Sequence, residues 1–328
     1  MESPTPLAWS KATEPALAPA GLRVAVLLPC LNEAAAITDV VRAFRAALPS
    51  ASVYVYDNNS TDDTAALAAA AGAQVRSEPR AGKGNVVRRM FADVEADVYV
   101  LADGDDTYDA SAAGRLLETF LAEELDFLNG ARVHESKGAY RPGHRLGNFV
   151  LTKLVRAVFG RQLNDMLSGY KVLSRRFVKS FPAMSTGFEI ETELAVHALE
   201  LRMPMAEVPT AYAERPSGSA SKLRTFRDGA RILMLIARVV KEERPLQFFG
   251  LAGLLLILLG VGFSVPVVLT YVETGLVPRL PTAVLSVGLI ILGVVTVFSG
   301  LILDMVTYGR REMKRLFYLS IPRKSPPL

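Results

Sequence analysis

Two long stretches without a charged residue constrain the fold of this chain more than any other feature. They run from Phe248 to Val272 and from Leu280 to Leu303. Each is longer than the roughly 20 apolar residues that cross a bilayer as a helix. A buried core helix is the alternative, but two such stretches separated by a short segment with Pro278 favour a transmembrane helical hairpin over 247–309.

Basic residues flank both apolar stretches and are sparse between them, where Arg279 stands alone: Arg238, Lys241, Arg244, Arg310, Arg311, Lys314 and Arg315. Because lysine and arginine accumulate on the cytoplasmic side, both termini should be cytoplasmic, with 310–328 as a basic cytoplasmic tail. The net charge of +4 is then explained by anionic lipid at the membrane surface. No nucleic-acid motif is present, so no nucleic acid is expected as a partner.

Residues 22–224 read as one α/β domain, preceded by a disordered tail over 1–21 that is rich in proline and alanine. Short apolar runs alternate with helical patterns, which predicts a mostly parallel sheet. The predicted strands are Val24–Leu28, Val53–Tyr56, Ala73–Arg76, Val98–Ala102, Phe127–Asn129 and Tyr170–Leu173. The predicted helices are Ala34–Leu48, Thr61–Ala71, Asn85–Glu95 and Ile190–Leu201.

Segment 225–246 carries apolar residues at helical spacing with arginine and lysine between them. An amphipathic basic helix directly before a membrane span is typical of a helix that lies at the bilayer interface. A helix packed on the sheet is the alternative.

Polar motifs follow each of the first four predicted strands: P-C-L-N-E (29–33), D-N-N-S-T-D-D-T (57–64), E-P-R-A-G-K-G-N (78–85) and D-G-D-D (103–106). The carboxyl ends of parallel strands meet at one edge of a sheet, where open α/β folds bind ligands. Taken singly, each motif can be explained as a turn, a helix cap or, for Arg80 and Lys83, a solvated basic loop. Together they place carboxylates, which suit Mg²⁺ or Mn²⁺, beside Arg80 and Lys83, which suit phosphate.

In order and spacing, these motifs resemble the nucleotide-sugar domain of the family 2 glycosyltransferases, which have the Rossmann-like GT-A fold. The resemblance covers about Val24 to Leu223. Within the family it looks nearest to the polyprenyl-phosphate glycosyltransferases, the subgroup of dolichyl-phosphate mannose synthase. It implies an inverting, metal-dependent sugar transfer from a nucleotide sugar to polyprenyl phosphate. A UDP-sugar is favoured as donor, with GDP-mannose as the alternative, and the resemblance suggests a homo-oligomer formed through the hairpin.

The resemblance also assigns residues on the donor side. Mg²⁺ or Mn²⁺ is expected on Asp103 and Asp105, while Asp106 has no assigned role. The residues expected to bind the nucleotide sugar are Pro29, Asn32, Glu33, Asp57, Asn59, Arg80, Lys83 and Asp103.

On the acceptor side, the resemblance rests on G-A-R (130–132), H-R (144–145), D-M-L-S-G-Y-K (165–171), G-F-E-I-E (187–191) and R-P-S-G-S-A-S-K-L (215–223). It implies that Asp105, Asp165, Arg132 and Arg145 are catalytic. It also implies an acceptor-phosphate site formed by Arg132, Arg145, Arg215, Ser217, Ser221 and Lys222. A serine- and glycine-rich linker is the alternative for the last motif. Because a phosphate acceptor is already anionic, no strong general base is required.

Two other functions stay open. The first is a processive polysaccharide synthase, a class with a similar fold. The Q-x-x-R-W motif of that class is absent from this sequence, since the only tryptophan is Trp9. A non-catalytic membrane scaffold is the second, and the intact D-G-D motif argues against it.

Overall fold

The structure is a computed structural model that describes residues 21–134, 163–187, 189–213, 241 and 244–323. The chain divides into two compact units, Met1–Thr225 with Arg315–Leu328, and Phe226–Lys314. Almost all of the tail predicted over 1–21 and of the interfacial helix predicted over 225–246 lies outside the described residues.

Strands and helices alternate along the first unit, as the sequence predicted. The elements are β1 (Val24–Cys30), α1 (Ile37–Ala47), β2 (Ser52–Asp57), α2 (Thr64–Ala70), β3 (Gln74–Ser77), α3 (Lys83–Asp93), β4 (Val98–Leu101), a 3₁₀ turn (Ala110–Ala112), α4 (Ala113–Ala122), β5 (Phe127–His134), β6 (Lys171–Ser174), α5 (Arg175–Ser180), α6 (Ile190–Glu200) and β7 (Met205–Tyr212).

Within the described residues, these strands form one seven-stranded sheet in the order β3-β2-β1-β4-β6-β5-β7. Neighbouring strands pair in parallel except at β6, which is antiparallel to both β4 and β5. All four side chains of β4 are buried, as expected for a central strand covered on both faces. The strand order reverses between β1 and β4, and open sheets bind ligands at such a reversal.

Helix α1 packs one apolar face on the core. Ile37, Val40, Val41 and Phe44 recur at helical spacing and are almost fully buried, in one cluster with β1, β2 and β4. Burying a side chain of this size contributes about 1.5–3 kcal/mol each. This packing fixes the end of β1 and the loop after it, where the motif 29–33 lies.

Four elements of the first unit were not predicted: the 3₁₀ turn, α4, α5 and β7. Strand β7 is hard to read from sequence because Glu207 and Pro209 interrupt its apolar pattern. Of the strands in the described residues, β5 is its one neighbour, so β7 lies at the edge of the sheet, where a residue without an N–H group is tolerated. Pairing with β7 also extends β5 well beyond the predicted Phe127–Asn129.

Two helices of the described chain are long and apolar enough to cross a membrane, α7 (Pro245–Thr274) and α8 (Leu280–Ser320), and each contains an 18-residue stretch with a mean hydropathy of 2.5. The second unit contains α7 and the part of α8 up to Lys314. Glycines let them approach closely: a Cβ on Gly253 would lie 2.6 Å from the carbonyl oxygen of Gly293. Helix α7 begins at the end of the segment predicted as an interfacial helix. Helix α8 continues to Ser320, through the first part of the predicted basic tail.

Candidate active site

The loop after β3 is tied to the end of β2 by Asn58. Its amide nitrogen donates to the carbonyl oxygens of Glu78, at 2.7 Å, and Arg80, at 2.8 Å, and its amide oxygen accepts from the Gly82 N–H at 2.7 Å. The motifs 57–64 and 78–85 therefore form one wall of the site. Asn58 lies inside a motif that the sequence singled out, but it was not predicted as a site residue.

The ends of β1 and β2 carry an acceptor atom with no partner. Asp57 accepts the Ser60 N–H through Oδ2 at 3.1 Å, whereas its Oδ1 is buried and receives no hydrogen bond from any described residue. Asn32 and Asn59 beside it adopt positive φ angles of 53° and 63°, which asparagine tolerates better than most residues. An N–H or O–H group of a ligand is the natural complement of Asp57 Oδ1, because buried acceptors are normally paired.

Other predicted donor-side residues line the same edge. Pro29 lies opposite Tyr56 in the sheet, and the largely buried Glu33 donates its N–H to the Thr64 hydroxyl at 2.9 Å. The guanidinium of Arg80 is exposed and pairs with Glu78 at 3.1 Å.

Glycines on either side of Lys83 allow a second chain segment to lie against the start of α3. Gly82 has a φ of 121°, and a Cβ there would lie 2.2 Å from the Thr186 carbonyl oxygen. A Cβ on Gly84 would lie 2.3 Å from the Ser185 carbonyl oxygen, and its N–H donates to Thr186 at 3.1 Å. The G-K-G sequence is therefore required by a backbone contact that also directs Lys83.

Lys83 lies between two carboxylates. Its ammonium donates to Asp103 Oδ1 at 2.5 Å and also to Glu191. Burial disfavours the charged ammonium, but Asp103 and Glu191 outweigh it and raise the pKa of Lys83. The side chain is therefore a fixed positive charge at neutral pH. The sequence placed the segment of Glu191 at the acceptor side and did not connect it with Lys83.

The D-G-D-D motif places its carboxylates in different surroundings. Asp103 is partly exposed at the edge, whereas Asp105 is buried and accepts the Thr107 hydroxyl at 2.6 Å. Asp106 is exposed, with a φ of 59°. Among the described residues, no group of three or more histidine, cysteine or acidic side chains is arranged to hold a metal. Two carboxylates nonetheless fit Mg²⁺, which is usually bound through one or two carboxylates plus substrate phosphates and water.

On the other side of β4, Arg132 and Asp165 form a bidentate pair. Arg132 Nε and an Nη each donate to an oxygen of Asp165 at 2.7 Å. Burial disfavours the carboxylate, but its hydrogen bonds with Arg132 hold the pKa of Asp165 below its usual value. Glu207, which was not predicted, accepts the N–H groups of Asn164 and Asp165. The pair borders a cavity of about 440 Å³.

The structure thus brings most predicted residues to one edge of the sheet. Asp103 connects the two sides, because a Cβ on Gly169, in the segment after Asp165, would lie 2.6 Å from Asp103 Oδ2. The remaining predicted residues lie outside the described part of the chain: Arg145, Arg215, Ser217, Ser221 and Lys222.

Comparison with known families gives two matches. Residues 25–181 match the model of glycosyl transferase family 2. Residues 225–307 match the model of the family 2 C-terminal transmembrane region.

Among curated proteins, glycosyltransferase AglJ of Haloferax volcanii is 34% identical over 296 residues, which cover 89% of this chain and 97% of that protein. The low-salt glycan biosynthesis hexosyltransferase Agl6 of the same organism is 30% identical over 73% of this chain and 58% of that protein.

Among solved structures, glucosyl-3-phosphoglycerate synthase of Mycobacterium tuberculosis with Mn²⁺ and UDP-glucose is similar, with a TM-score of 0.55 and 26% identity. The match covers 68% of this chain and 79% of that one. The same enzyme with Mg²⁺ and UDP matches equally well, at a TM-score of 0.55.

Proposed function

The chain belongs to glycosyltransferase family 2, and on that premise we propose that it transfers a sugar from a nucleotide sugar to polyprenyl phosphate. It has the GT-A fold and is a membrane-associated glycosyltransferase. The proposal adds the donor, the acceptor and the metal. The main observation behind it is that one chain has both a cluster of carboxylates and an ammonium at the sheet edge and a C-terminal transmembrane region.

On the donor side, we assign the nucleoside to the wall formed by the ends of β1 and β2. The buried, unpartnered Oδ1 of Asp57 suits a base N–H or a ribose hydroxyl. Pro29, Asn32, Glu33 and Asn59 complete that wall. A uridine nucleotide is favoured because the structural neighbour was solved with UDP-glucose.

The diphosphate belongs at Lys83, Arg80 and Asp103. Asp103 and Asp105 would hold Mg²⁺ or Mn²⁺, which supplies positive charge for the departing diphosphate. Lys83 contributes a further positive charge, and Glu191 keeps its ammonium directed at the sheet edge. Such preorganised charge stabilises a leaving group that becomes more negative as its bond breaks.

The acceptor phosphate belongs on the Arg132 side of the site. One of its oxygens attacks the anomeric carbon, the bond from that carbon to the diphosphate breaks, and the nucleoside diphosphate leaves with the electron pair. No proton has to move, because the attacking oxygen is already anionic. Asp165 orients Arg132 through two hydrogen bonds, and the planar guanidinium suits a phosphate. Arg145, Arg215, Ser217, Ser221 and Lys222 stay predicted contacts of the same phosphate.

We further propose that the active site and both termini lie at the cytoplasmic face, because basic residues flank the apolar helices. An assembly through the hairpin is part of the same proposal. The orientation and the assembly can each be wrong without affecting the proposed reaction, because neither changes the residues that hold the donor.

A soluble phosphorylated acid is the second candidate acceptor, because the structural neighbour is a glucosyl-3-phosphoglycerate synthase. The transmembrane region favours a lipid instead, since a lipid acceptor is confined to the membrane.

Purified full-length protein in detergent with Mn²⁺ tests the proposal. It is offered labelled UDP-sugars or GDP-mannose, together with undecaprenyl phosphate or 3-phosphoglycerate, and label is counted in the organic and aqueous phases. We expect a lipid-linked sugar with one donor. If label enters only a phosphoglycerate product, the acceptor is the soluble phosphorylated acid and not the lipid. The absence of any product would refute the proposal.

A further inference from the structure

Lys171 is a buried lysine close to the site that the proposed chemistry does not use. It is the first residue of β6, its exposed fraction is zero, and it lies opposite Leu101 of β4 and Asn129 of β5. Because β6 is antiparallel, its first residue lies at the same edge as the end of β4. The backbone of Lys171 therefore lies near the edge that carries Asp103.

The contacts of Lys171 are unusual for a buried ammonium. It donates to the Ser168 carbonyl oxygen at 2.6 Å and to the Asn129 side-chain oxygen at 3.0 Å, and it lies 5.5 Å from the centre of the Phe127 ring. Within the described parts of the chain it forms no ion pair. Burial lowers its pKa to about 8, an effect that nearby Glu191 and Asp165 only partly offset.

The two hydrogen-bond acceptors of Lys171, on Ser168 and Asn129, connect to different sides of the site. Ser168 precedes Gly169, whose backbone lies against the carboxylate of Asp103 and donates its N–H to the Tyr108 hydroxyl at 2.6 Å. Asn129 donates to the Asp165 carbonyl oxygen at 2.7 Å, and Asp165 holds Arg132. Lys171 thus contacts the 165–169 turn directly at Ser168 and, through Asn129, at Asp165.

We propose that Lys171 is a positioning residue that holds the 165–169 turn and thereby fixes the distance between Asp103 and the Asp165–Arg132 pair. The turn connects the carboxylate on the diphosphate side to the arginine on the acceptor side. Its geometry decides how the two reactants face each other. A misplacement of about 1 Å reduces turnover on the order of 100-fold.

A purely structural role predicts a different outcome. Replacing a buried lysine that has no ion-pair partner by an apolar side chain removes the cost of burying its charge, and that gain offsets the loss of its two hydrogen bonds. Methionine has nearly the length and volume of lysine, so Lys171→Met removes the two hydrogen bonds without leaving a large void. If Lys171 serves only the fold, its loss acts through stability. If it positions the turn, turnover falls while stability and nucleotide binding persist.

Lys179→Met is a matched control. Lys179 also donates to a backbone carbonyl, that of Phe91 at 2.9 Å, and it pairs with Glu95, but none of its recorded contacts is with a site residue. Wild type and both variants are compared as full-length protein for turnover number, KM for the nucleotide sugar, affinity for UDP with Mn²⁺, and melting temperature.

For Lys171→Met we expect a turnover number about 100-fold lower, with UDP affinity and KM within about threefold of wild type and no fall in melting temperature. Lys179→Met should retain wild-type turnover. Unchanged turnover in Lys171→Met would overturn the inference, and so would a parallel loss of turnover, UDP affinity and melting temperature.

The inference rests on the proposed function, because that proposal assigns Asp103 to the donor side and Arg132 to the acceptor side, but it does not depend on which acceptor is used. Turnover is therefore also read as hydrolysis of the nucleotide sugar by water, without any acceptor. If wild type transfers nothing to polyprenyl phosphate, the lipid proposal fails, while the hydrolysis rates still compare the variants.

Discussion

Asp103 and Asp106 belong to the same short motif but differ in their surroundings. Asp103 accepts a hydrogen bond from Lys83 at 2.5 Å and lies against Gly169, whereas Asp106 is exposed. The family resemblance predicted a metal on Asp103 and Asp105 and left Asp106 without a role, but it gave no physical reason for that difference. The difference comes from residues that are distant in the chain.

The first prediction concerns this pair. Asp103→Asn should lower sugar transfer about 100-fold or more, because it removes a charge from the proposed site of the diphosphate and its metal. Asp106→Asn should stay within about threefold of wild type, since asparagine tolerates the positive φ of that position. Initial rates at saturating donor measure both, and equal losses in the two variants would contradict the assignment.

The second prediction concerns pH and Lys171. Four charged groups surround its ammonium, Glu191 and Asp165 with favourable and Lys83 and Arg132 with unfavourable interactions, and its pKa is lowered to about 8. In the unfolded chain that pKa is about 10.4. Between these values the unfolded state binds more protons, so this group makes the wild type more stable as pH rises from about 8 to 10.

Lys171→Met lacks this gain. The melting temperature of the variant minus that of the wild type should therefore fall between pH 8 and pH 10 and stay constant from pH 6 to pH 7. A difference that does not change with pH would show that the Lys171 pKa is not lowered.

At the scale of elements, the strands could be predicted because β1, β2 and β4 are short apolar runs that end in polar motifs. The position of β6 between β4 and β5 could not, because antiparallel insertion depends on pairing across more than 40 residues, as in Lys171 with Asn129. The contact between Lys83 and Glu191 spans 108 residues. The local sequence pattern therefore indicated candidate site residues, but not which of these side chains contact each other in the folded chain.

The third prediction concerns the packing of α7 on α8. A Cβ on Gly293 would lie 2.7 Å from the Gly253 carbonyl oxygen, whereas Gly288, on the same helix, has no atom within 4 Å of that position. Gly293→Ala should force the helices apart and lower the melting temperature in detergent by several degrees. Gly288→Ala should maintain or raise it, because alanine favours helix by about 1 kcal/mol over glycine.

Thermal melting of the full-length variants, followed by circular dichroism, makes the comparison. Equal melting temperatures for the two alanine variants would contradict close packing of the two helices.

At the scale of the whole molecule, the end of α8 belongs to the α/β unit rather than to a free tail. Tyr318 is buried and donates its hydroxyl to Asp126 at 2.5 Å. Asp126 is fully buried and also accepts from Ser174 at 2.7 Å and from Arg176. The chain that leaves the membrane segment therefore completes the hydrogen bonding of a buried carboxylate in the catalytic unit.

The fourth prediction follows from that contact. Tyr318→Phe keeps the ring but removes the hydroxyl, so the catalytic unit should lose about 1–3 kcal/mol of unfolding free energy. Tyr308→Phe is the control, because Tyr308 lies on the same helix and is exposed. Chemical denaturation of the full-length protein reports both values, and an unchanged Tyr318→Phe would show that the contact contributes nothing.

The fifth prediction joins both units in one reaction. In liposomes containing undecaprenyl phosphate, the full chain should transfer sugar from the nucleotide donor only when the Asp103–Asp105 cluster can bind a divalent cation. Liposomes are used because the proposed acceptor is a lipid and because the chain has a C-terminal transmembrane region.

The most direct test is the rate at which labelled sugar enters the organic-extractable lipid of these liposomes. We expect label to accumulate with Mn²⁺ or Mg²⁺, to stop with chelator, to resume when the metal is restored, and to be absent with Asp105→Asn. Label that stays in the aqueous phase, or that enters lipid equally well with Asp105→Asn, would contradict a metal-dependent sugar transfer to polyprenyl phosphate.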